Sequence, residues 1–168
     1  MPAPSEELLE GMTTVSRYFF RIMTQCLAEL PEAEEVSATQ YRTVALLSLR
    51  GPRNASLLAE ELGVGRPAAT KLVDRLVKRR LIRRRKHPTD RRQVILEATE
   101  RGNQIVRAVQ QCRRKRLARV LGALEPAARD ALRRDLPALT EAFERSMRPA
   151  AAPPELLPLA GSATRSRS

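Results

Sequence analysis

Apolar positions change period along this chain, and each change marks an element. Leu8, Met12, Val15, Phe19, Ile22, Cys26 and Leu30 recur every three or four residues, thickened by Leu9, Phe20, Met23 and Leu27. That is one stripe on a long helix. Pro31 and the acidic run Glu32 to Glu35 predict its end. Ser37, followed three residues later by Gln40, is a capping box with Val36 as its staple. It opens a second helix over about 38–49, with Tyr41, Val44, Ala45, Leu47 and Leu49 apolar, which Gly51-Pro52 stops. Asn54 predicts the N-cap of a short helix through Leu62, with Leu57, Leu58, Ala59 and Leu62 inward. Gly63 suits a left-handed turn, and Val64 reads as a core plug. A further helix is expected from Arg66 to Arg79, Pro67 being tolerated in its first turn. Ala69, Leu72, Val73, Leu76 and Val77 form its apolar face, opposite Arg66, Thr70, Lys71, Asp74, Arg75 and Lys78.

The period then shortens. Leu81 to Lys86 alternates, His87-Pro88-Thr89-Asp90 reads as a turn, and Gln93 to Glu97 returns, which predicts a β-hairpin with a basic tip. Thr99 caps a helix expected from Glu100 to Leu121, with Ile105, Val109, Cys112, Leu117 and Val120 on one side. Pro126 opens a last helix to about Ser146 with a Leu132, Leu136, Leu139, Phe143 stripe. Pro137 inside it predicts a kink or a break. Residues 1–5 and 148–168 read as a disordered lead and tail, the latter dominated by Pro, Ala, Ser and Gly.

Composition narrows this picture. The chain of 168 residues is 42% hydrophobic but only 3% aromatic, so its core is drawn from Leu, Val and Ala, which favours helices. Charged residues at 30% and a pI near 11.2 point to an anionic partner, nucleic acid first and an anionic membrane surface second. The charge is concentrated. Residues 66–92 hold twelve basic against two acidic residues, a net +10 of the chain's +12. Everything else is close to neutral, as expected of a local surface that meets phosphates.

Cys26 and Cys112 lie in apolar-periodic stretches without a metal-ligand spacing and read as reduced core thiols of a cytosolic protein. The N-terminal residues lack the basic and apolar regions of a signal peptide, and no apolar run reaches the ~20 residues of a membrane span. The expected location is therefore cytoplasmic, with no membrane partner. A single His, two distant Cys and no Gly-rich phosphate loop make no catalytic constellation, and no metal or cofactor is expected. His87 reads as a surface residue of the hairpin rather than a ligand.

The expected fold is mainly α with a small β-hairpin wing: a winged helix-turn-helix DNA-binding domain plus flanking helices. Residues 6–35 form an N-terminal helix that could pack on its own domain or on a second subunit, 36–98 the winged domain and 99–147 the C-terminal helices. A helix fits the major groove, and short side chains near its N-terminus let it approach base edges. Arg66, Ala68, Thr70 and Lys71 would lie nearest the bases, with Arg75 and Lys78 nearer the backbone. Arg84, Arg85 and Lys86 form the basic strand of the wing. At its tip, Asp90, Arg91 and Arg92 reach the flanking minor groove.

Ser37-x-x-Gln40, Leu58-Ala59 with Leu62-Gly63-Val64, Thr70 to Leu76, Leu81-Ile82-x-Arg84, Asp90-Arg91-Arg92 and Thr99-x-x-Gly102 resemble, in order and spacing, the MarR (multiple antibiotic resistance regulator) family. The match covers about 36–107. The resemblance implies a homodimer on double-stranded DNA, with 6–35 as N-terminal and 99–147 as C-terminal dimerisation helices interlocked in a helical dimerisation domain, acting as a repressor or sometimes an activator, released by a small ligand or an oxidant. It also implies that Asp90 orients Arg92 at the wing tip. The family commonly has Gly where this chain has Arg80, so either Arg80 is strained or the helix ends differently. Cys26 sits eleven residues before Ser37, too late for the reactive Cys of the peroxide-sensing branch. A pocket for an aromatic or phenolic ligand would lie where the dimer helices meet the winged domain, with Phe19, Phe20, Met23, Tyr41 and Val44 as candidate linings. The alternatives are a non-specific architectural DNA-binding protein and a cysteine-based redox-sensing regulator.

Overall fold

Ser5 starts the first helix by accepting the Leu8 amide, and Glu6 and Glu7 in the first turn complement the helix dipole. The computed structural model describes residues 3–86 and 94–146, in which this helix, α1, spans Glu6–Ala28. It stops short of Leu30, and Pro31–Ala33 form a separate 3₁₀ turn. α2 (Ala38–Arg50) begins at the expected capping box: the Gln40 amide donates to Ser37 Oγ at 3.3 Å and the Ser37 amide to Gln40 Oε1 at 3.0 Å. Asn54 caps α3 (Ala55–Leu62) by accepting the Leu57 amide at 2.8 Å. α4 covers Arg66–Lys78, and the hairpin strands are β2 (Ile82–Lys86) and β3 (Val94–Ala98). Thr99 caps α5 (Glu100–Gly122).

A third strand lies beside the hairpin. β1 (Arg53–Asn54) pairs with Leu96 and Ile95, giving the antiparallel order β1-β3-β2. Two residues carry no period, so alternation along the chain does not announce it. What holds β1 is partly ionic. Glu61 of α3, its side chain 8% exposed, lies 3.4 Å from Arg53 and 3.6 Å from Arg50.

Leu58, Leu76, Leu81, Ile82, Leu96, Val106 and Val109 are the fully buried centre of the core. It draws on α1 through Cys26 and Leu27 and on α5 through Ile105, Val106 and Val109. The unit containing the winged domain thus runs on through α5, as Met1–Leu124, and Glu125–Ser168 forms the second unit. Leu49, counted with the apolar set of its helix, is exposed, because the buried face of α2 runs through Tyr41, Val44 and Leu47 instead.

One expectation is corrected. Cys26 and Cys112 are not separate reduced thiols but a disulfide, with sulfurs 2.17 Å and Cα atoms 5.8 Å apart. They are 86 residues apart in sequence, and only the packing of α1 beside α5 brings them together. At Pro137, where a kink or a break is expected, the last helix does not break. α6 runs unbroken over Pro126–Ser146, at the cost of the one hydrogen bond that a proline cannot donate. By itself α6 buries no residue, and Leu132, Leu136, Leu139 and Phe143 are all exposed. Among the described residues, no helix is long and apolar enough to cross a membrane.

Candidate nucleic-acid interface

The turn between α3 and α4 and the joint between α4 and β2 use the same device. Past α3, Gly63 adopts φ 68° and ψ 35°, the Gly63 amide donates to Glu60 O and the Val64 amide to Ala59 O, each at 3.0 Å. Past α4, Arg80 adopts φ 57°, its amide donates to Val77 O at 2.9 Å and the Leu81 amide to Leu76 O at 3.0 Å. Both are Schellman-type endings with an apolar residue following. Arg80 therefore takes the left-handed conformation that the family's usual glycine adopts freely, at a cost of about 1 kcal/mol. The helix end itself is unaltered.

α4 meets solvent with the expected face. Arg66, Ala68, Thr70, Lys71, Asp74, Arg75 and Lys78 are exposed, while Ala69, Val73 and Leu76 are buried and Leu72 and Val77 partly so. The Thr70 hydroxyl donates to Arg66 O at 3.0 Å, so its donor is engaged within the helix. Sequence reasoning missed how firmly this helix is joined to the wing. Arg84 of β2 pairs with Asp74 of α4 at 2.5 Å. On the other face of the strand, Arg83 and Arg85 both pair with Glu97 of β3, the latter at 3.3 Å. The cross-strand register Arg83↔Glu97 places these charges together. Alternation along β2 was the available signal: Ile82 turns inward, so Arg84 shares its side, and Arg83 and Arg85 share the other. Arg84 and Arg85, expected at phosphates, thus already hold carboxylate partners, whereas Lys86 is exposed at the end of the strand. Asp90, Arg91, Arg92 and His87 lie outside the described residues.

The root of the wing is packed against α5 without slack. The Thr99 amide donates to Leu81 O at 3.0 Å, and its hydroxyl lies 2.7 Å from Arg80 O and accepts the Gly102 amide at 3.1 Å. A Cβ on Gly102 would lie 2.3 Å from Leu81 O and 2.9 Å from a Val44 methyl. The Thr99-x-x-Gly102 motif is therefore a close-approach device as well as a cap.

Within the single chain the expected ligand-pocket residues divide between core and surface. Tyr41 and Val44 are core, Met23 is partly buried, and Phe19 and Phe20 are exposed on α1. Burial pushes the Tyr41 phenol above its ordinary value of 10.0, opposed by the Arg113 guanidinium hydrogen-bonded to it. An open cleft of about 500 Å³ lies elsewhere, between the end of α1 and α5, lined by Glu29, Leu30, Cys112, Lys115, Arg116 and Arg119 among others. Nor is positive charge confined to residues 66–92. α5 holds seven basic residues against one acidic, a surplus that acidic residues elsewhere in the chain balance.

An exposed, groove-sized polar helix locked to a basic hairpin defines a class, the winged helix-turn-helix DNA-binding proteins. Residues 36–94 match the model of the MarR family. RV1404 from Mycobacterium tuberculosis, in its crystal structure, is 38% identical and superposes with a TM-score of 0.72 over 84% of this chain and 97% of that one. The HTH-type transcriptional regulator YfiV of Bacillus subtilis is 30% identical over 67% of this chain and 70% of its own. The transcriptional repressor MprA of Escherichia coli is 29% identical over 77% of this chain and 73% of its own. The chain belongs to the MarR family of DNA-binding transcriptional regulators.

Proposed function

We propose that this protein is a homodimeric repressor that reads a pseudo-palindromic operator with α4 and the β2–β3 wing. The observation that carries the reading is the exposed face of α4, small and polar toward its N-terminus and tied to the wing through Asp74–Arg84. A backbone-only binder has no need of short Ala68 and Thr70 beside the groove. Arg66, Thr70 and Lys71 read bases, Arg75 and Lys78 contact phosphates, and Asp90 with Arg92 serves the minor groove. The similarity to the repressor MprA supports the direction of control. The exposed apolar stripes of α1 (Leu8, Val15, Phe19) and of α6 (Leu132, Leu136, Phe143) support pairing of two copies, which sets two reading helices one DNA turn, about 34 Å, apart. Footprinting on the DNA flanking its own gene is the test. Protection of a two-fold symmetric site is expected, and protection without preference over bulk DNA would leave only the architectural reading. For release, the open cleft beside Lys115 and Arg119 is the candidate ligand site, with Glu29 and Arg116 paired on its wall.

The disulfide favours a second reading, control by oxidation. Two thiols at Cys26 and Cys112 would pass two electrons to a peroxide, yielding the disulfide and, from hydrogen peroxide, two waters. Operator affinity measured with and without dithiothreitol decides: equal affinities of the two forms remove this reading.

A further inference from the structure

Among the described residues, two residues other than glycine hold a positive φ: Glu35 at 63° and Arg80 at 57°. They meet at one place in the fold. Arg79, which closes α4, ion-pairs with the Glu35 carboxylate at 2.6 Å and donates to Glu34 O at 3.4 Å. Around this contact lies a cleft of about 340 Å³, with Glu32, Glu34 and Glu35 on one wall and Lys78, Arg79 and Arg80 among the residues of the other. The acidic wall is the segment between α1 and α2. The basic wall is the end of the helix that faces DNA.

We propose that Arg79 is a positioning residue for DNA binding: its clamp on Glu34 and Glu35 sets the inclination of α4, and with it the wing root, relative to the α1–α2 segment. The inference rests on the reading that α4 enters the major groove. Left-handed residues persist where their surroundings over-determine them, and here one stands at each end of the clamp. On the far side of Arg80, Leu81 is buried and its carbonyl is held by the Thr99 amide at 3.0 Å. The C-terminal end of α4 is thus gripped from two directions. Its base-reading end is 13 residues away, about 20 Å along the axis. A tilt of about 5° at the clamp moves that end by roughly 1.7 Å, more than the ~0.5 Å range over which an N–H···O bond keeps its strength.

Electrostatics alone predicts a different result, and this makes the proposal testable. Glu35 is an anion beside a DNA-binding surface, so removing its charge should by itself tighten binding. The clamp predicts that it weakens. The probe is a fluorescein-labelled duplex selected by the wild-type protein from a random pool, with affinity read by anisotropy and folding checked by circular dichroism melts. Glu35→Gln and Arg79→Gln are each expected to weaken binding about two- to fivefold, the range set by an exposed ion pair. The double variant should lose no more than either alone, the salt dependence of Glu35→Gln should match wild type, and the exchanged pair Arg79→Glu with Glu35→Arg should recover most of the affinity. If Arg79→Gln fails to fold, Arg79→Lys, which keeps the charge but not the two-pronged contact, is expected to show the same loss. Unchanged or tighter binding by folded Glu35→Gln overturns the proposal. If wild type selects no duplex at all, the operator reading itself is lost and the clamp falls with it.

Discussion

Single positions in this chain carry opposite backbone demands. Arg80 occupies a left-handed position that glycine adopts without penalty, and its neighbour Leu81 closes the helix into the core. Arg80→Gly should therefore stabilise the protein by at most about 0.5 kcal/mol, most of the relief of strain being offset by the freer unfolded chain. Urea denaturation reads this as a higher midpoint at constant slope. Gly102 shows the reverse. Alanine there gains about 1 kcal/mol of helix propensity. The added Cβ, however, meets a carbonyl at 2.3 Å that is pinned by Thr99. Overpacking costs about 1–3 kcal/mol and the disturbed hydrogen bond about 1 more, so Gly102→Ala should destabilise by roughly 1–3 kcal/mol. A midpoint at or above wild type would mean that the α5–wing contact yields easily. Both residues were visible in the sequence as a motif and a departure from it, but the sign of each effect came from φ at one and from a neighbouring carbonyl at the other.

At the level of elements, the contacts proposed for α4 divide along its length. Thr70 lies near the base-reading end with its hydroxyl donor engaged at Arg66 O, leaving its methyl for contact, and Lys78 lies at the far end near the backbone. Thr70→Ala is expected to relax preference at one base step with an unchanged salt slope. Lys78→Ala should weaken all sequences alike and lower the slope by about one. Binding titrations at several salt concentrations on matched and mismatched duplexes check this, and equal effects from both variants would show the helix face wrongly assigned. The amphipathic period of α4 made this face legible, because one side had to be core. The ion pairs of β2 were less legible. Arg84 and Arg85 belong to one run of basic residues, and only strand alternation and register give one to Asp74 and the other to Glu97.

Across the whole molecule, two features await partners or chemistry. The disulfide closes a separation of 86 residues between α1 and α5, and its reduction should cost about 2–4 kcal/mol by releasing the unfolded chain. Thermal melts with and without dithiothreitol measure this, and Cys112→Ser should melt like the reduced form. An unshifted melt of wild type would mean that packing alone holds α1 on α5. The stripes of α1 and α6 are the other feature. Phe19→Asp with Leu136→Asp is expected to leave the fold intact and convert a dimer to monomers in sedimentation velocity, with operator affinity falling as the second half-site is lost. A wild-type monomer would remove the dimer from the proposal.

The helices, the hairpin, their caps and the buried faces of α3 and α4 were determined by the sequence itself. Period, capping residues and turn glycines act over a few positions and do not depend on what lies across the fold. Tertiary structure decided what distant positions do to one another. It paired Cys26 with Cys112, laid Arg53–Asn54 along β3, gave Arg84 to Asp74 and set Arg79 against Glu35. The basic block at 66–92 read as one phosphate-binding surface, yet several of its arginines are fastenings. A charge shows its sign in the sequence, but its partner is chosen by chain geometry, since Coulomb attraction depends on distances that only packing sets.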